Sequence, residues 1–330
     1  MVNTATTHKL IIGDCSSMKE IENQSVHLMI TSPPYFNAPF DYKNLFNSYD
    51  DYLKLLGEFA RETYRVLQDG RIAVVNTDDM LVNGEKFPIV ADTTKIFQNA
   101  GFIYRDRIIW KKPDGYLRIS RRSGVLLQNP FPMYFYPDNL LGSILIFQKG
   151  RFNYLSVSQG IKEKSRVDIK EFQENKWYST LWEITNVLPN SSLEKDIAAF
   201  PEELPYRVIS LFSYVGETVL DPFVGSGTTM KVTRQFGRNS IGIEINESLV
   251  SIIVRKTGFG ERQKTFSSAG TISWKYYTGK NEKMRLSAEF RGIRYLPTLC
   301  KDLKSFDFED IEDALQGASS FALKNEMVVR

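Results

Sequence analysis

A serine followed by two prolines and a tyrosine, Ser32-Pro33-Pro34-Tyr35, closes a short apolar run that ends in Ile30-Thr31. Each proline fixes its own φ and lacks an N–H, so the turn is stiff and its carbonyl oxygens are left free to accept. A flat amino group on a base needs acceptors lying in its own plane. The Ser32 side chain supplies one and the Pro33 carbonyl another, and Tyr35 offers a ring face on which a base can stack. Taken alone, the same four residues also describe a rigid turn after a strand.

The second constellation is Asp221-Pro222-Phe223-Val224-Gly225-Ser226-Gly227-Thr228-Thr229, set between a strand-like run and a helical pattern. Its glycines let the backbone turn sharply and let a ligand approach the main chain. Glu244 ends the next strand-like run, about 20 residues on, where a carboxylate can bond ribose hydroxyls. A phosphate-cradling P-loop would need a lysine that this loop lacks. A dinucleotide site stays open, although its third glycine would fall at Met230, and so does a glycine-rich turn with no ligand.

Other reactive groups are scarce. The chain has two cysteines, Cys15 and Cys300, and two histidines, His8 and His27, in 330 residues. That makes no disulfide framework and no zinc cluster, so no metal is expected, and serine–histidine or cysteine–histidine catalysis is poorly supported. Both histidines read as surface or boundary residues. The chemistry must then use few ionisable groups, or a cofactor that carries the reactivity itself.

Net charge is +3, unevenly spread: Arg105 to Trp182 holds 14 Lys and Arg against 7 Asp and Glu, leaving 28 against 32 elsewhere. A basic middle segment in a slightly acidic body suggests a polyanionic partner, with a solvated surface face as the plain alternative. No apolar stretch reaches membrane-spanning length and the polar Met1–His8 is no signal peptide, so a cytoplasmic protein is expected.

The elements that must position these residues alternate between strand and helix. Residues 9–12, 26–30, 71–76, 102–110 and 140–147 read as strands, with helices over 50–67 and 87–101. Ser48 with Asp51 resembles a capping box for the first helix, and Gly70 reads as its stop. Residues 112–137 and 151–178 lose the rhythm. It returns with a helix over 202–212, a strand over 218–220, a helix over 226–236, a strand over 240–245 and a helix over 247–256. Such alternation predicts a mostly parallel twisted sheet with helices on both faces. The tail after Thr265 carries no readable motif beyond an acidic, amphipathic stretch from Asp302 to Asp313.

The two motifs together resemble the amino-group DNA methyltransferases of the permuted, beta-type group, in which the catalytic motif precedes the cofactor loop. Supporting stretches fall in the same order: Ile11-Ile12-Gly13-Asp14-Cys15 before the first motif, Ala198-Ala199-Phe200-Pro201-Glu202-Glu203-Leu204-Pro205 before the second, and Gly237-Arg238 before the Glu244 strand. The likeness spans about residues 9–256, with one departure: Asp196 stands where the family often has a histidine.

The resemblance implies an α/β S-adenosylmethionine-dependent methyltransferase fold, circularly permuted, with an inserted recognition region. The expected divisions are a catalytic half (1–112), a DNA target-recognition region (113–182), a cofactor half (183–264) and a C-terminal extension (265–330). It implies S-adenosyl-L-methionine as cofactor and double-stranded DNA as substrate, and makes a cognate restriction endonuclease a plausible functional partner. Asp14 and Glu244 would hold the adenosine part. Asp221, Phe223 and Gly225 would line the methionine side, with Phe200 packing nearby, and Gly227 is counted among the cofactor-binding residues.

Ser32, Pro33, Pro34 and Tyr35 would then be the catalytic residues. Serine rather than aspartate at position 32 favours N4 of cytosine, with N6 of adenine as the alternative. Methylation at C5 would need a cysteine nucleophile in a catalytic loop, which neither Cys15 nor Cys300 provides. A non-catalytic DNA-binding protein and an RNA methyltransferase are more distant alternatives. Candidate DNA contacts are Arg118, Arg121, Arg122, Lys149, Arg151, Lys162, Lys164 and Arg166.

Overall fold

The computed structural model describes residues 5–38, 44–112, 123–137, 141–185, 200–259, 264–268 and 270–277. In chain order, strands β1 (Ala5–Ile12) and β2 (Val26–Thr31) lead to helix α1 (Tyr49–Val66) and strand β3 (Leu67–Thr77). A small hairpin, β4 (Met80–Val82) and β5 (Glu85–Phe87), precedes α2 (Ile89–Asn99) and β6 (Ile103–Lys111). Then come α3 (Ser123–Gln128), β7 (Leu141–Gln148), α4 (Gln159–Lys164), α5 (Ile169–Glu174) and β8 (Leu181–Glu183). The last part contains α6 (Glu203–Phe212), β9 (Thr218–Asp221), α7 (Thr228–Gln235), β10 (Asn239–Glu244), α8 (Val250–Thr257), β11 (Lys264–Ser268) and β12 (Thr271–Tyr277).

Among the described residues, ten strands form one sheet in the order β11-β12-β1-β10-β9-β2-β3-β7-β6-β8. The run β1, β10, β9, β2, β3 is parallel throughout, and β7 sits antiparallel between β3 and β6. From β9 the chain crosses through α7 to β10 on one side. From β2 it crosses through α1 to β3 on the other. The strand order therefore reverses between β9 and β2, and the crevice at their carboxyl ends is where open α/β sheets bind ligands.

Side chains alternate across the sheet as strand geometry requires. Leu28 and Ile30 of β2 join a buried cluster with Val208, Ile209 and Phe236, on the α6 side. Met29 joins Leu56, Phe59, Phe97 and Phe147 on the opposite face, beneath α1 and α2. The start of α1 is set by Ser48, whose hydroxyl accepts from the Asp51 amide at 3.1 Å, satisfying an orphan donor of the first turn. Tyr52, Leu56, Phe59, Ala60 and Thr63 form its buried stripe.

Several expectations need correction. Gly70 does not stop the first helix: α1 ends at Val66, and Gly70 lies inside β3 with φ +83°, its amide bonded to the Lys149 carbonyl. The expected helix over 247–256 is a 3-10 turn, Glu247–Leu249, followed by α8. The motifless stretch after Thr265 contributes β12, which pairs antiparallel with β1 from Ala5 to Ile11. His8 is no boundary residue: it is fully buried, with Nδ1 2.7 Å from Ser240 Oγ and Nε2 2.9 Å from Thr6 Oγ1, and it stacks on Phe259. Burial, with the Arg234 charge nearby, holds its pKa down at about 3.

The span expected as a recognition region is not set apart from the sheet. β7 lies inside it, yet is bonded to β3 and β6, and Trp177 and Trp182 are buried in the core on the α6 side. The acidic stretch from Asp302 to Asp313 and Asp196 lie outside the described residues. No helix among the described residues is long and apolar enough to cross a membrane.

Candidate active site

The two motifs meet at the reversal of strand order. Thr31, the last residue of β2, donates its hydroxyl hydrogen to Asp221 Oδ1 at 2.6 Å, and Asp221 is the last residue of β9. The Phe223 amide donates to the same oxygen at 3.1 Å, which turns the glycine loop away from the strand. Burial pushes the Asp221 pKa up from 3.8 to about 6, against the hydrogen bonds it accepts.

Glu244 ends the neighbouring strand and ties the loop down. Its Oε2 accepts from the Gly225 amide at 2.8 Å and its Oε1 from the Asn246 amide at 2.9 Å. Burial raises its pKa. Gly242, two residues earlier, has no room for a side chain: a Cβ there would stand 2.4 Å from Val224 Cγ2 and 2.7 Å from Met230 Sδ. The loop can lie this close to β10 because the residue is glycine. Gly227 takes φ +90° as it leads into α7, a conformation that favours glycine.

Asp14 is exposed just past β1, whose last residue Ile12 is level with Glu244. Its Oδ1 accepts from the Ser16 amide at 2.8 Å. Phe223 packs edge-on against Phe59, and Phe200 is buried in the cluster that holds Ile30 and Leu204. Cys15 is buried and its thiol is pushed up by burial, which removes it as a nucleophile. At the turn after β2, Pro33 and Pro34 are buried while Ser32 and Tyr35 keep partial exposure.

Two site contacts have no motif of their own. Asn76 Nδ2 donates to Ser32 Oγ at 3.3 Å. Lys231 on α7 pairs with Glu202 at 2.8 Å, fastening the helix after the glycine loop to the Phe200-Pro201 turn. A signal for Asn76 exists in the sequence: Ile72 and Val74 alternate as buried apolar residues, and the next position in that row is polar.

The candidate DNA contacts do not form one surface. Lys149 is corrected outright: it is buried, and its ammonium donates to the carbonyls of Tyr64 at 2.8 Å and Leu67 at 2.7 Å, closing the end of α1. Arg151 follows it past β7, beside Gly70. Lys162, Lys164 and Arg166 lie around Ser165, whose hydroxyl accepts from the Val215 amide just before β9. This is the amino-terminal edge of the parallel strands. At about 3.3 Å per residue, it is roughly a 20 Å strand length from the Ser32 edge. Arg118, Arg121 and Arg122 lie outside the described residues. They belong to the insertion between β6 and β7, which leaves and rejoins the sheet at the Ser32 edge. Its described part, 123–137, exposes Leu127, Phe131, Met133 and Phe135.

A family described as DNA methylase, covering N6 and N4 enzymes, matches residues 26–255. The chain belongs to this family. It is 35% identical over 294 residues to the type II methyltransferase M.MjaI of Methanocaldococcus jannaschii, covering 79% of this chain and 95% of that protein. It is 30% identical over 348 residues to the type II methyltransferase M.MthZI of Methanothermobacter thermautotrophicus, covering 92% of this chain and 94% of that one. Among solved structures it resembles TTHA0409 of Thermus thermophilus, assigned as a DNA modification methylase and solved with S-adenosyl-L-methionine. The TM-score is 0.60 at 27% identity, over 76% of this chain and 93% of that one. The fold is the S-adenosylmethionine-dependent methyltransferase fold, with the Ser32-Pro33-Pro34-Tyr35 strand ahead of the glycine loop in the chain, and the chain is a DNA methyltransferase of the amino-group class.

Proposed function

We propose that this enzyme methylates N4 of cytosine within a short specific site in duplex DNA, protecting that site from a cognate restriction endonuclease. The observation that carries the reading is the hydrogen bond from Thr31 to Asp221, because it puts Ser32 one residue from the edge of the glycine loop.

The methyl donor is S-adenosylmethionine, and the residues present fit it. Glu244 offers a carboxylate for the ribose diol, the loop backbone bends at Gly225 and Gly227, and the buried Thr228 hydroxyl has no partner among the described residues. Asp221, Phe223 and Phe200 would bound the methionine side, and Asp14 the adenine side. When bound, the cofactor supplies an electrophilic methyl group.

The chain's own residues prepare the acceptor. The target base leaves the duplex and stacks on Tyr35. Ser32 Oγ and the Pro33 carbonyl accept the two amino hydrogens, drawing the nitrogen lone pair out of conjugation with the ring. These acceptors also stabilise the positive charge that develops on nitrogen during transfer. After transfer the cationic nitrogen gives up one proton, which passes along one of the same hydrogen bonds to solvent, so that Ser32 and the Pro33 carbonyl end unchanged. A neutral serine at this position is the reason for preferring cytosine.

DNA approaches the Ser32 edge. The insertion between β6 and β7, with Arg118, Arg121, Arg122 and the exposed apolar residues of 123–137, is the element assigned to meet it.

The test is to incubate the protein with duplex DNA and methyl-labelled S-adenosylmethionine, digest to nucleosides and identify the labelled one by mass spectrometry. N4-methylcytosine is expected. N6-methyladenine would keep the mechanism and overturn the base assignment.

A further inference from the structure

Register sets Ser32 beside Asn76. Leu28 is level with Ile72 and Ile30 with Val74, so the next pair in the row is Ser32 with Asn76. The row is apolar and buried until this last rung, where it becomes two polar side chains joined at 3.3 Å. Asn76 is 2% exposed, and its Oδ1 has no hydrogen-bond partner among the described residues. Gly142 of the neighbouring β7 strand faces that oxygen and offers it no polar side chain; even a Cβ there would stand only in ordinary contact, 3.8 Å away.

A buried carboxamide bonded through one end only is a poor choice for stability, because its free carbonyl has lost water and gained nothing. An apolar residue would continue the row at no such cost. Stability therefore does not explain Asn76, whereas its one hydrogen bond reaches the residue assigned to the acceptor.

We propose that Asn76 is a positioning residue for methyl transfer: its amide N–H binds one lone pair of Ser32 Oγ and fixes the hydroxyl so that the other lone pair faces the amino group of the target base. A serine hydroxyl otherwise rotates freely and must be ordered during the reaction. Fixing it beforehand is preorganisation of an acceptor. This inference rests on the methyltransferase reading above.

The experiment compares wild type with Asn76→Leu, which is near in volume and has no polar atoms, and with Asn76→Ala in case leucine does not fit. Single-turnover transfer of labelled methyl to duplex DNA is read beside calorimetric affinity for S-adenosylmethionine, DNA affinity and Tm. The expected result is a transfer rate lowered by about 100-fold, the scale of losing one preorganised polar contact. Both affinities stay within about twofold, and Tm is unchanged or higher in Asn76→Leu. Transfer at the wild-type rate in either folded variant overturns the proposal. So does a rate loss matched by lost cofactor affinity and lower Tm in both variants, which marks a structural role. No transfer to any DNA by the wild-type chain would overturn the functional reading, and this inference with it.

Discussion

Thr31 donates to Asp221 across a separation of 190 residues, and the hydrogen bond is only 2.6 Å long and fully buried. It joins the last residue of β2, which leads into Ser32, to the last residue of β9, which leads into the glycine loop. Permuted chain order is harmless here because the two strands are neighbours in the sheet. What the chemistry needs is their adjacency, whichever motif is translated first.

Asp221 should trade stability for binding. Its carboxyl pKa is raised from 3.8 to about 6 by burial, so the folded chain holds the proton more tightly than the unfolded chain does. On this group's account, ligand-free stability is greatest below about pH 4 and falls as pH rises towards 6, by about 3 kcal/mol in all. Asp221→Asn removes that loss, so its Tm without ligand at pH 7.5 should exceed wild type. Its affinity for S-adenosylmethionine, which carries sulfonium and ammonium charges, should fall by about 10-fold or more. Calorimetry and thermal melts check both halves. Wild-type affinity should also weaken as pH drops below about 6.

Lys149 should matter for folding and not for DNA. Its ammonium caps two carbonyls at the end of α1 and lies 4.6 Å from the Tyr64 ring centroid. Lys149→Met leaves those carbonyls unpaired, at a cost of about 1–3 kcal/mol in urea unfolding. DNA affinity of the folded variant, and its dependence on salt, should match wild type. A shallower salt dependence would return Lys149 to the DNA surface.

His8 predicts sensitivity to acid. Its folded pKa of about 3 lies below the ordinary 6.5, so the folded chain binds fewer protons than the unfolded chain between those values. Stability from this group is present above about pH 6.5 and is lost as pH falls. His8→Asn, which keeps polar atoms near Ser240 and Thr6, should show a smaller drop in Tm between pH 7.5 and pH 5 than wild type does. Equal drops would mean that other groups govern the acid limb.

Much of this molecule was legible in its sequence, for reasons that can be named. Strands such as Val26–Thr31 are short apolar runs because both faces are covered, and α1 carries its cap and its stripe in plain view. The glycine loop and Glu244 were readable because close backbone approach demands particular residues at fixed spacing. What escaped depends on long-range partners. Nothing near His8 predicts that β12 will cover β1, since β12 follows it by more than 250 positions. Lys149 looks like any surface cation until Tyr64 and Leu67 turn their carbonyls towards it. Charge counting over Arg105 to Trp182 pooled residues from both ends of the strands, because β7 runs antiparallel and carries the chain away from the site.

The central claim is that Ser32 acts on the base and the glycine loop holds the methyl donor, within one site. The most direct measurement is single-turnover transfer from labelled S-adenosylmethionine to duplex DNA by wild type and Ser32→Ala, with cofactor affinity measured on the same preparations. Transfer lowered by about 100-fold or more, with cofactor affinity unchanged, is the predicted result. Undiminished transfer by Ser32→Ala would contradict the account.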